Sequence, residues 1–460
     1  MFVFTRYLLI AQNVFTSAAM DRLFYPKGCS HTDAPPAGFG FWDKIPLDTA
    51  QCAFYTDKIG ITNTLNMSPY EFVIEACSDS FLCMNSINMD LKIKVTDQRG
   101  RPIKARENIA PVNNIFHSMW ESIEVKINDD VISPESTVFI PYKAILETAM
   151  SHTQNQTKQT LQAQGWCMDT AGKYADGRAG AAGENVGFKT RQKWIDSSKE
   201  MHFNGPLCAD FLRSDNHLAP NNKLTITLRR ASDSFALVGS ATGDDFKIVI
   251  TDLALHVRRV RLAPRIHNTL MSPSGLERYQ TSCTKIKMFQ VPKGVRQISE
   301  PLITGGIIPK HITIATVASE GALGKMKNNP FYFQHFNVRK LNLRLNSRSI
   351  PRNPLRPDFP NQLIAREYSR LFTETGRECM TKPCLISPYD FASGFTIFPF
   401  DLTPDKCNGE HTHIGRVGDL DLEMEWNVAL PKCITVLVYT AHDQVTTINR
   451  ADGTTNTEFF

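Results

Sequence analysis

The stretch GDLDLEMEW, from Gly418 to Trp426, alternates apolar and acidic side chains. In an extended chain, Leu420, Leu422, Met424 and Trp426 lie on one face and the acidic side chains lie on the other. This repeat of two residues indicates a β-strand with one buried and one solvated face. Strands of this kind are typical of antiparallel sandwiches and barrels.

The same alternation occurs in both halves of the chain. It predicts strands at LKIKV (91–95), IEVKIN (123–128), KLTITLRR (223–230), and from Leu341 to Leu345. The sequence therefore predicts an all-β, antiparallel fold.

Two further stretches depart from simple alternation. In FKIVITDLALHV (246–257) the apolar positions change phase near Thr251 and Asp252, which predicts a β-bulge. ITVLVYT, from Ile434 to Thr440, is apolar at nearly every position and predicts a strand covered on both faces.

Helices are few. Pro141 can occupy the first turn of one, whose apolar stripe is Ile145, Leu146, Ala149 and Met150. A second helix follows Pro360, with Asn361 as its N-cap and Gly376 near its end. Its apolar face would be formed by Leu363, Ile364, Tyr368, Leu371 and Phe372. Each half would then hold one helix among many strands.

The chain has 460 residues, more than one hydrophobic core usually organises, so we expect two β-rich halves. The predicted division is an N-terminal extension and arm (1–60), a first half (61–262), a linker (263–276), a second half (277–450) and a C-terminal tail (451–460). The first half includes an irregular segment rich in Gln, Gly, Ala and Asn, residues 152–200. We expect that segment to project as a long surface loop.

The formal net charge of +5 is small for this length, and the basic residues are spread along the chain. A nucleic-acid-binding protein would collect them in runs. The densest cluster is Arg258, Arg259, Arg261 and Arg265. We interpret this cluster as the solvated end of a strand. The alternative interpretation is a surface that faces packaged DNA. The odd count of eleven Cys, without compact spacing, indicates mostly reduced thiols.

The first residues allow two interpretations. Residues 2–19 form an apolar run that ends in small residues, as a cleaved signal peptide does, but Arg6 interrupts it. Met20 offers a second start, which would make the preceding residues a dispensable extension. The N-x-S/T triplets at Asn66 and Asn155 matter only if the signal is real. No later stretch is long enough and free enough of charge to span a bilayer.

The sequence carries no nucleophile elbow, no HExxH and no Rossmann glycine fingerprint. GENVGFKT (183–190) differs from a phosphate-binding loop because its Lys does not directly follow the second Gly. Potential metal ligands gather in one region but lack the tight pairs of a structural zinc site: Cys379, Cys384, Cys407, His411 and His413. We therefore predict no enzymatic activity, no catalytic residue, no cofactor and no metal.

Several long blocks resemble the major capsid proteins of Polinton (Maverick) elements and adintoviruses. They include NNIFHSMWESIEVKINDDVISPES (113–136), PYKAILETAM (141–150), LVGSATGDDFKIVITDLALHVRRVRLAPRI (237–266), NPFYFQHFNVRKLNLRLNSRSIP (329–351), LFTETG (371–376), YDFASGFTIFPFDLTPD (389–405) and ITVLVYTAHDQVTTINR (434–450). The similarity runs in order from roughly residue 65 to residue 450. The first nineteen residues and the segment 152–200 depart from the family pattern.

The resemblance implies two fused eight-stranded antiparallel jelly rolls, a double jelly roll, with a few short helices. It also implies a structural subunit of a DNA virus, whose homotrimers form pseudo-hexagonal capsomers and tile an icosahedral shell. The implied partners are further copies of the chain, a penton or minor capsid protein and, indirectly, packaged double-stranded DNA. The implied location is the virion, made in a host cell, with the nucleus favoured over the cytoplasm as the assembly compartment.

Functional residues would then form contacts between subunits or between rolls. The predicted contacts are aromatic side chains next to turn-forming residues: Phe331, Tyr332, Phe336, Tyr389, Phe391, Phe395, Phe398 and Phe400. The alternative for each of these eight residues is that it packs in the hydrophobic core and makes no contact between subunits or rolls. For the whole chain, the alternative is a secreted β-sandwich that binds glycans or proteins, which would require a signal peptide and paired cysteines.

Overall fold

The computed structural model of the chain describes residues 50–65, 67–133, 139–174, 184–239, 246–271, 275–375, 384–404 and 413–459. In the first half, the strands are β1 (Gln51–Gly60), β2 (Tyr70–Ile74), β3 (Phe81–Asp97), β4 (Ile109–Pro111), β5 (Trp120–Ile127), β6 (Asp130–Ser133), β7 (Met201–Pro206), β8 (Leu224–Arg230), β9 (Leu237–Gly239) and β10 (Phe246–Leu262). They form one sheet in the order β1-β10-β3-β7 and a second in the order β2-β8-β5-β6, and β4 pairs with β9.

In the second half, the strands are β11 (Leu276–Val291), β12 (Gln297–Ile307), β13 (His311–Ala318), β14 (Val338–Leu345), β15 (Arg348–Leu355), β16 (Ile397–Asp401), β17 (Val417–Trp426), β18 (Ile434–Asn449) and β19 (Thr455–Phe459). Again there are two antiparallel sheets, β11-β18-β13-β16 and β12-β17-β14-β15. The last strand, β19, pairs with the end of β18.

The two halves share one strand order. Without the small β4–β9 pair, the remaining eight strands of the first half join as 1-8-3-6 and 2-7-4-5; without β19, the eight strands of the second half join in the same way. This is the order of an eight-stranded jelly roll, in which two Greek keys form facing sheets. The predicted fold of two fused antiparallel jelly rolls is confirmed. We call the halves the first and second roll.

The alternating stretches explain which side of each sheet is buried. In β17, Leu420, Leu422, Met424 and Trp426 are buried, whereas the acidic residues between them are partly exposed. β3 buries Leu91, Ile93 and Val95 in the same way. Each roll therefore encloses an apolar core between its two sheets.

The two irregular stretches also form as predicted. β10 shifts register against β3 between Ile250 and Asp252, so the predicted bulge is confirmed. Residues Ile434 to Thr440 of β18 are all buried. This strand is covered on both faces because one face of its sheet lies in the second roll and the other meets the first roll.

The helices are short: α1 (Ile115–Ser118), α2 (Ile140–Ser151), α3 (Gln154–Thr157), α4 (Val186–Trp194), α5 (Asp233–Ala236), α6 (Pro264–Leu270), α7 (Ser319–Ala322), α8 (Ala365–Thr373) and α9 (Pro388–Ala392), with 3-10 turns at Thr160–Gln164, Asp196–Ser198 and Phe211–Arg213. The helix predicted from Pro141 is α2, with its apolar stripe buried. None of the helices in the described residues is both long and apolar enough to cross a membrane.

The predicted start of the second helix was wrong. α8 begins at Ala365 and its N-cap is Ile364, not Asn361. The chain first turns back on itself, since Asp358 bridges Leu363 and Gln362 has a φ of 58°. That turn leaves Leu363 69% exposed, so it does not belong to the apolar face. The predicted end at Gly376 lies outside the described residues.

The prediction of a projecting loop at 152–200 was also wrong for its described part. That part folds into α3, α4 and two 3-10 turns. Trp166, Phe188 and Arg191 within it are at most 2% exposed. Large side chains scattered among polar ones give no clear periodicity, but they anchor the segment to the first roll.

The predicted division into ranges stays a prediction, and three elements bear on its edges. β1 lies in the range assigned to the arm, yet it pairs with β10. β19 lies in the range assigned to the tail, yet it pairs with β18. α6 occupies much of the predicted linker.

Candidate functional site at the seam between the rolls

Polar side chains of the first roll meet the second roll beside α2. We call the contacts between described residues up to Leu262 and those from Leu276 onward the seam. Lys143, on the buried side of α2, lies 2.5 Å from Asp210 and 3.9 Å from Glu147. The other oxygen of Asp210 accepts a hydrogen bond from the backbone N–H of Thr284 on β11, at 2.8 Å. Glu147 accepts one from the hydroxyl of Tyr439 on β18, at 3.0 Å. Both carboxylates therefore join an ion-pair cluster of the first roll to one sheet of the second.

The electrostatics of this cluster keep its members charged. Burial disfavours the ammonium group of Lys143, but the carboxylates of Asp210 and Glu147 outweigh it and raise the pKa of Lys143. Burial likewise opposes the charge of Glu147, but Arg213 and Lys143 lower its pKa. A buried charge of this kind is tolerated only while its partners stay in place. The cluster therefore ties the position of the second roll to the packing of α2.

A second polar cluster crosses the seam through the segment 152–200. Arg191 donates hydrogen bonds to Asp169, at 2.7 Å, and to the carbonyl of Pro111, at 2.8 Å. Asn329, from the second roll, donates to the other oxygen of Asp169 at 2.8 Å and to the carbonyl of Tyr174 at 3.2 Å. The Arg191 and Asp169 side chains are 1% and 2% exposed. The planar guanidinium holds several acceptors at once, which suits a buried junction.

Three of the eight predicted contact residues pack on aromatic rings of the first roll. Phe331 packs edge-on against Tyr142 and Phe235, with centroid distances of 5.9 and 6.0 Å. Tyr332 stacks on Tyr174 at 5.7 Å, and Phe395 packs against the same ring at 6.4 Å. Aromatic pairs in these geometries add to the free energy of burial. Their roles in subunit assembly stay predictions.

The other five have different surroundings. Phe391 and Phe398 pack on each other in the second roll, at 6.0 Å, and Phe400 lies under the guanidinium of Arg370. Phe336 is partly buried, with the ammonium of Lys432 5.5 Å from its ring centroid. Tyr389 is 65% exposed, and its hydroxyl lies close to Gly172 of the first roll. Among the eight, Tyr389 has the most surface free to meet another molecule.

A cavity of about 570 Å³ opens at the seam beside the first cluster. Its charged lining is largely matched: Glu147 pairs with Arg213, and Lys310 pairs with Asp443. In the described part of the chain, no three potential ligands gather as a metal site would require. Of the five potential ligands singled out in the sequence, Cys384 and His413 are described, and Cys379, Cys407 and His411 lie outside the described residues. The seam groups hold one another in place.

Sequence reasoning missed both polar clusters. The spacing of Lys143 and Glu147, four residues apart on a predicted helix, was a readable signal for an ion pair. Nothing local links Lys143 to Asp210, which lies 67 residues away. Arg191 and Asp169 lay in a segment interpreted as a surface loop.

The comparisons with known proteins concern this two-roll architecture. No family model matches the chain. A structure of the Sputnik virophage superposes with a TM-score of 0.61 at 12% identity, covering 94% of each chain. The chain has this fold. The mavirus major capsid protein gives 0.51 at 11% identity, covering 94% of this chain and 96% of that one. The Faustovirus major capsid protein gives 0.55 at 7% identity, covering 95% and 96%.

In sequence, the chain is similar to an uncharacterized protein of Caenorhabditis elegans. The two are 22% identical over 402 residues, which cover 82% of this chain and 90% of that protein. The similarity therefore extends across both rolls.

Replacing Lys143 by Met is expected to destabilise the whole protein. It leaves the carboxylate of Asp210 without its buried partner, and we expect a loss of about 3–5 kcal/mol in the free energy of unfolding. The matched control is Lys325→Met, which removes an exposed pair with Glu320. Urea unfolding followed by tryptophan fluorescence measures both. Equal midpoints for the two variants would contradict a stabilising role for the buried cluster.

Acid should destabilise the protein partly through His335, which stacks on Phe359 at 3.9 Å. Burial lowers the pKa of His335 from 6.5 to about 4. The unfolded chain takes up this proton below about pH 6.5, whereas the folded chain does so only near pH 4, so stability falls as the pH drops through that window. His335→Phe keeps a stacked ring and should flatten the fall by up to about 1.4 kcal/mol per pH unit. Urea unfolding between pH 7 and 4.5 tests this, and parallel curves for the variant and the unmodified protein would refute it.

Proposed function

We propose that this chain is a viral major capsid protein, a structural subunit that builds a shell from copies of itself. The observation that carries the proposal is the pair of rolls with one strand order, held together by a buried polar and aromatic seam. The fold is shared with proteins whose names describe them as virus capsid proteins. Major capsid proteins are structural subunits of a shell, so we propose a structural and not an enzymatic role.

A double roll suits a shell for a geometric reason. Each chain presents two similar barrels, so three chains around a threefold axis present six similar lateral faces. Such a trimer is nearly hexagonal and can tile a surface through repeated side contacts. The seam serves this purpose if it keeps the two barrels of a chain at one fixed spacing.

We extend the proposal to homotrimeric capsomers in an icosahedral shell, located in the virion. The collinear blocks from roughly residue 65 to residue 450 support a place near the Polinton and adintovirus capsid proteins. A penton or minor capsid protein would close the vertices, and packaged DNA would be an indirect partner. Exposed Tyr389 is the predicted contact most suited to a neighbouring subunit.

The secreted binding module is less well supported. It would need several paired cysteines, and seven cysteines of the described residues form no disulfide: Cys52, Cys77, Cys83, Cys167, Cys208, Cys283 and Cys433. We therefore do not propose it as a function.

The test is the mass of the purified full chain by light scattering, over a series of protein and salt concentrations, with negative-stain microscopy of the largest fraction. We expect a species of three 51.7-kDa chains, and hexagonal sheets or shells at higher concentration. Tyr389→Ala should lower the trimer fraction, and Tyr389→Phe, which keeps the ring, should preserve it. A monodisperse monomer under every condition would overturn the proposal of self-assembly.

A further inference from the structure

The second roll contains a cavity that is separate from the seam cavity. It measures about 500 Å³ and lies at the edge where β11 and β18 of one sheet face β12 of the other. β12 contributes little bulk there, because Gly305 and Gly306 follow one another and the register with β17 is irregular between Ile303 and Gly306. A Cβ at Gly306 would come within 2.8 Å of the Cγ2 methyl of Ile303. The absence of a side chain at Gly306 therefore leaves room for Ile303 at the wall of the cavity.

The walls of the cavity are mostly apolar. They include Leu302, Ile303 and Ile307 from β12, Val438 from β18, and Phe459 from the final strand, β19. Binding sites for small molecules fall in the range of about 300–1,000 Å³ and have mainly apolar walls with few polar groups. The size and lining of this cavity fit that description.

The polar groups of the cavity carry positive charge or can donate hydrogen bonds. Lys285, Lys287 and His442 line it, and no Asp or Glu does so within the described residues. Lys287 is already engaged, at 3.4 Å from Glu300 and 2.7 Å from the carbonyl of Pro301. Lys285 instead lies over the ring of Phe459, 4.6 Å from its centroid, with no carboxylate in ion-pair range in the described part of the chain. One cation at the cavity is therefore available to an anion.

His442 adds a buried donor beside that cation. The residue is 5% exposed, and its ring lines the cavity. Burial lowers the pKa of His442 to about 4, so at neutral pH the ring is uncharged and still carries one N–H. Because His442 lines the cavity, a ligand oxygen there can reach its N–H and accept a hydrogen bond from it.

From this combination we propose that the cavity binds an amphiphile with one carboxylate and an unbranched alkyl tail, such as a medium-chain fatty acid. The carboxylate pairs with Lys285 and accepts a hydrogen bond from His442. The tail lies between the sheets, against the apolar residues of β12 and β18. Phe459 covers the head-group end, so the terminal strand β19 closes the site.

Calorimetric titration of the purified full chain with decanoate, below its micelle concentration, tests the proposal. We expect saturable binding of one decanoate per chain. Decyltrimethylammonium has the same tail with a positive head group and should not bind.

Two variants locate the site independently. Lys285→Gln removes the charge and should weaken decanoate binding about tenfold or more. Ile303→Trp fills the cavity and should abolish binding. The matched control is Lys58→Gln, which changes an exposed lysine on β1, the edge strand of the first roll equivalent to β11. It should bind decanoate as the unmodified chain does.

Thermal unfolding of each variant without ligand checks that it is folded. If one of the two site variants does not fold, the other is enough to test the location of the site. The proposal is overturned if the unmodified chain shows no saturable binding, if both site variants bind as the control does, or if the cationic amphiphile binds equally well. None of these results bears on self-assembly, which the mass measurement tests separately.

Discussion

The rest of the structure depends on one buried charge, the ammonium group of Lys143. Its side chain is 2% exposed, and a charge so far from water must be neutralised and hydrogen-bonded by its surroundings. Asp210 and Glu147 supply that neutralisation, and the same carboxylates accept hydrogen bonds from Thr284 and Tyr439 of the second roll. Separating the rolls would remove the Thr284 and Tyr439 donors from these two carboxylates. The two barrels are thus coupled by hydrogen bonds to a buried ion pair as well as by apolar contact.

The aromatic contacts reinforce the same coupling at another point along the seam. Phe331 packs against both Tyr142 and Phe235 of the first roll, while Asn329 donates a hydrogen bond to Asp169, the buried partner of Arg191. Polar clusters specify geometry because their hydrogen bonds tolerate little displacement, whereas aromatic rings bury large apolar surfaces. A subunit that must repeat many times in a shell benefits from both properties.

Local pattern was sufficient to predict seven strands and one irregularity; the strands are β3, β5, β8, β10, β14, β17 and β18. Alternation predicted β17, the phase change predicted the bulge at Ile250 and Asp252, and the apolar run predicted that β18 is covered on both faces. The prediction of an N-cap at Asn361 was wrong because Gln362 lies in a turn with a positive φ, and the helix begins only at Ala365.

The seam could not be predicted in the same way. Its partners are distant in sequence, with Tyr439 lying 292 residues from Glu147, and their meeting depends on how the finished rolls pack. The aromatic residues of the segment 329–336 attracted attention by composition. Composition did not indicate which of them face the first roll.

We conclude that the seam makes the two rolls one cooperative unit. Fluorine NMR of the chain labelled with 5-fluorotryptophan, followed through urea unfolding, tests it directly because Trp120 and Trp166 report on the first roll and Trp426 reports on the second. Coincident transitions at all three positions are the expected result. If Trp426 lost its native signal at a different urea concentration from Trp120 and Trp166, the rolls would be independent domains and the account would be contradicted.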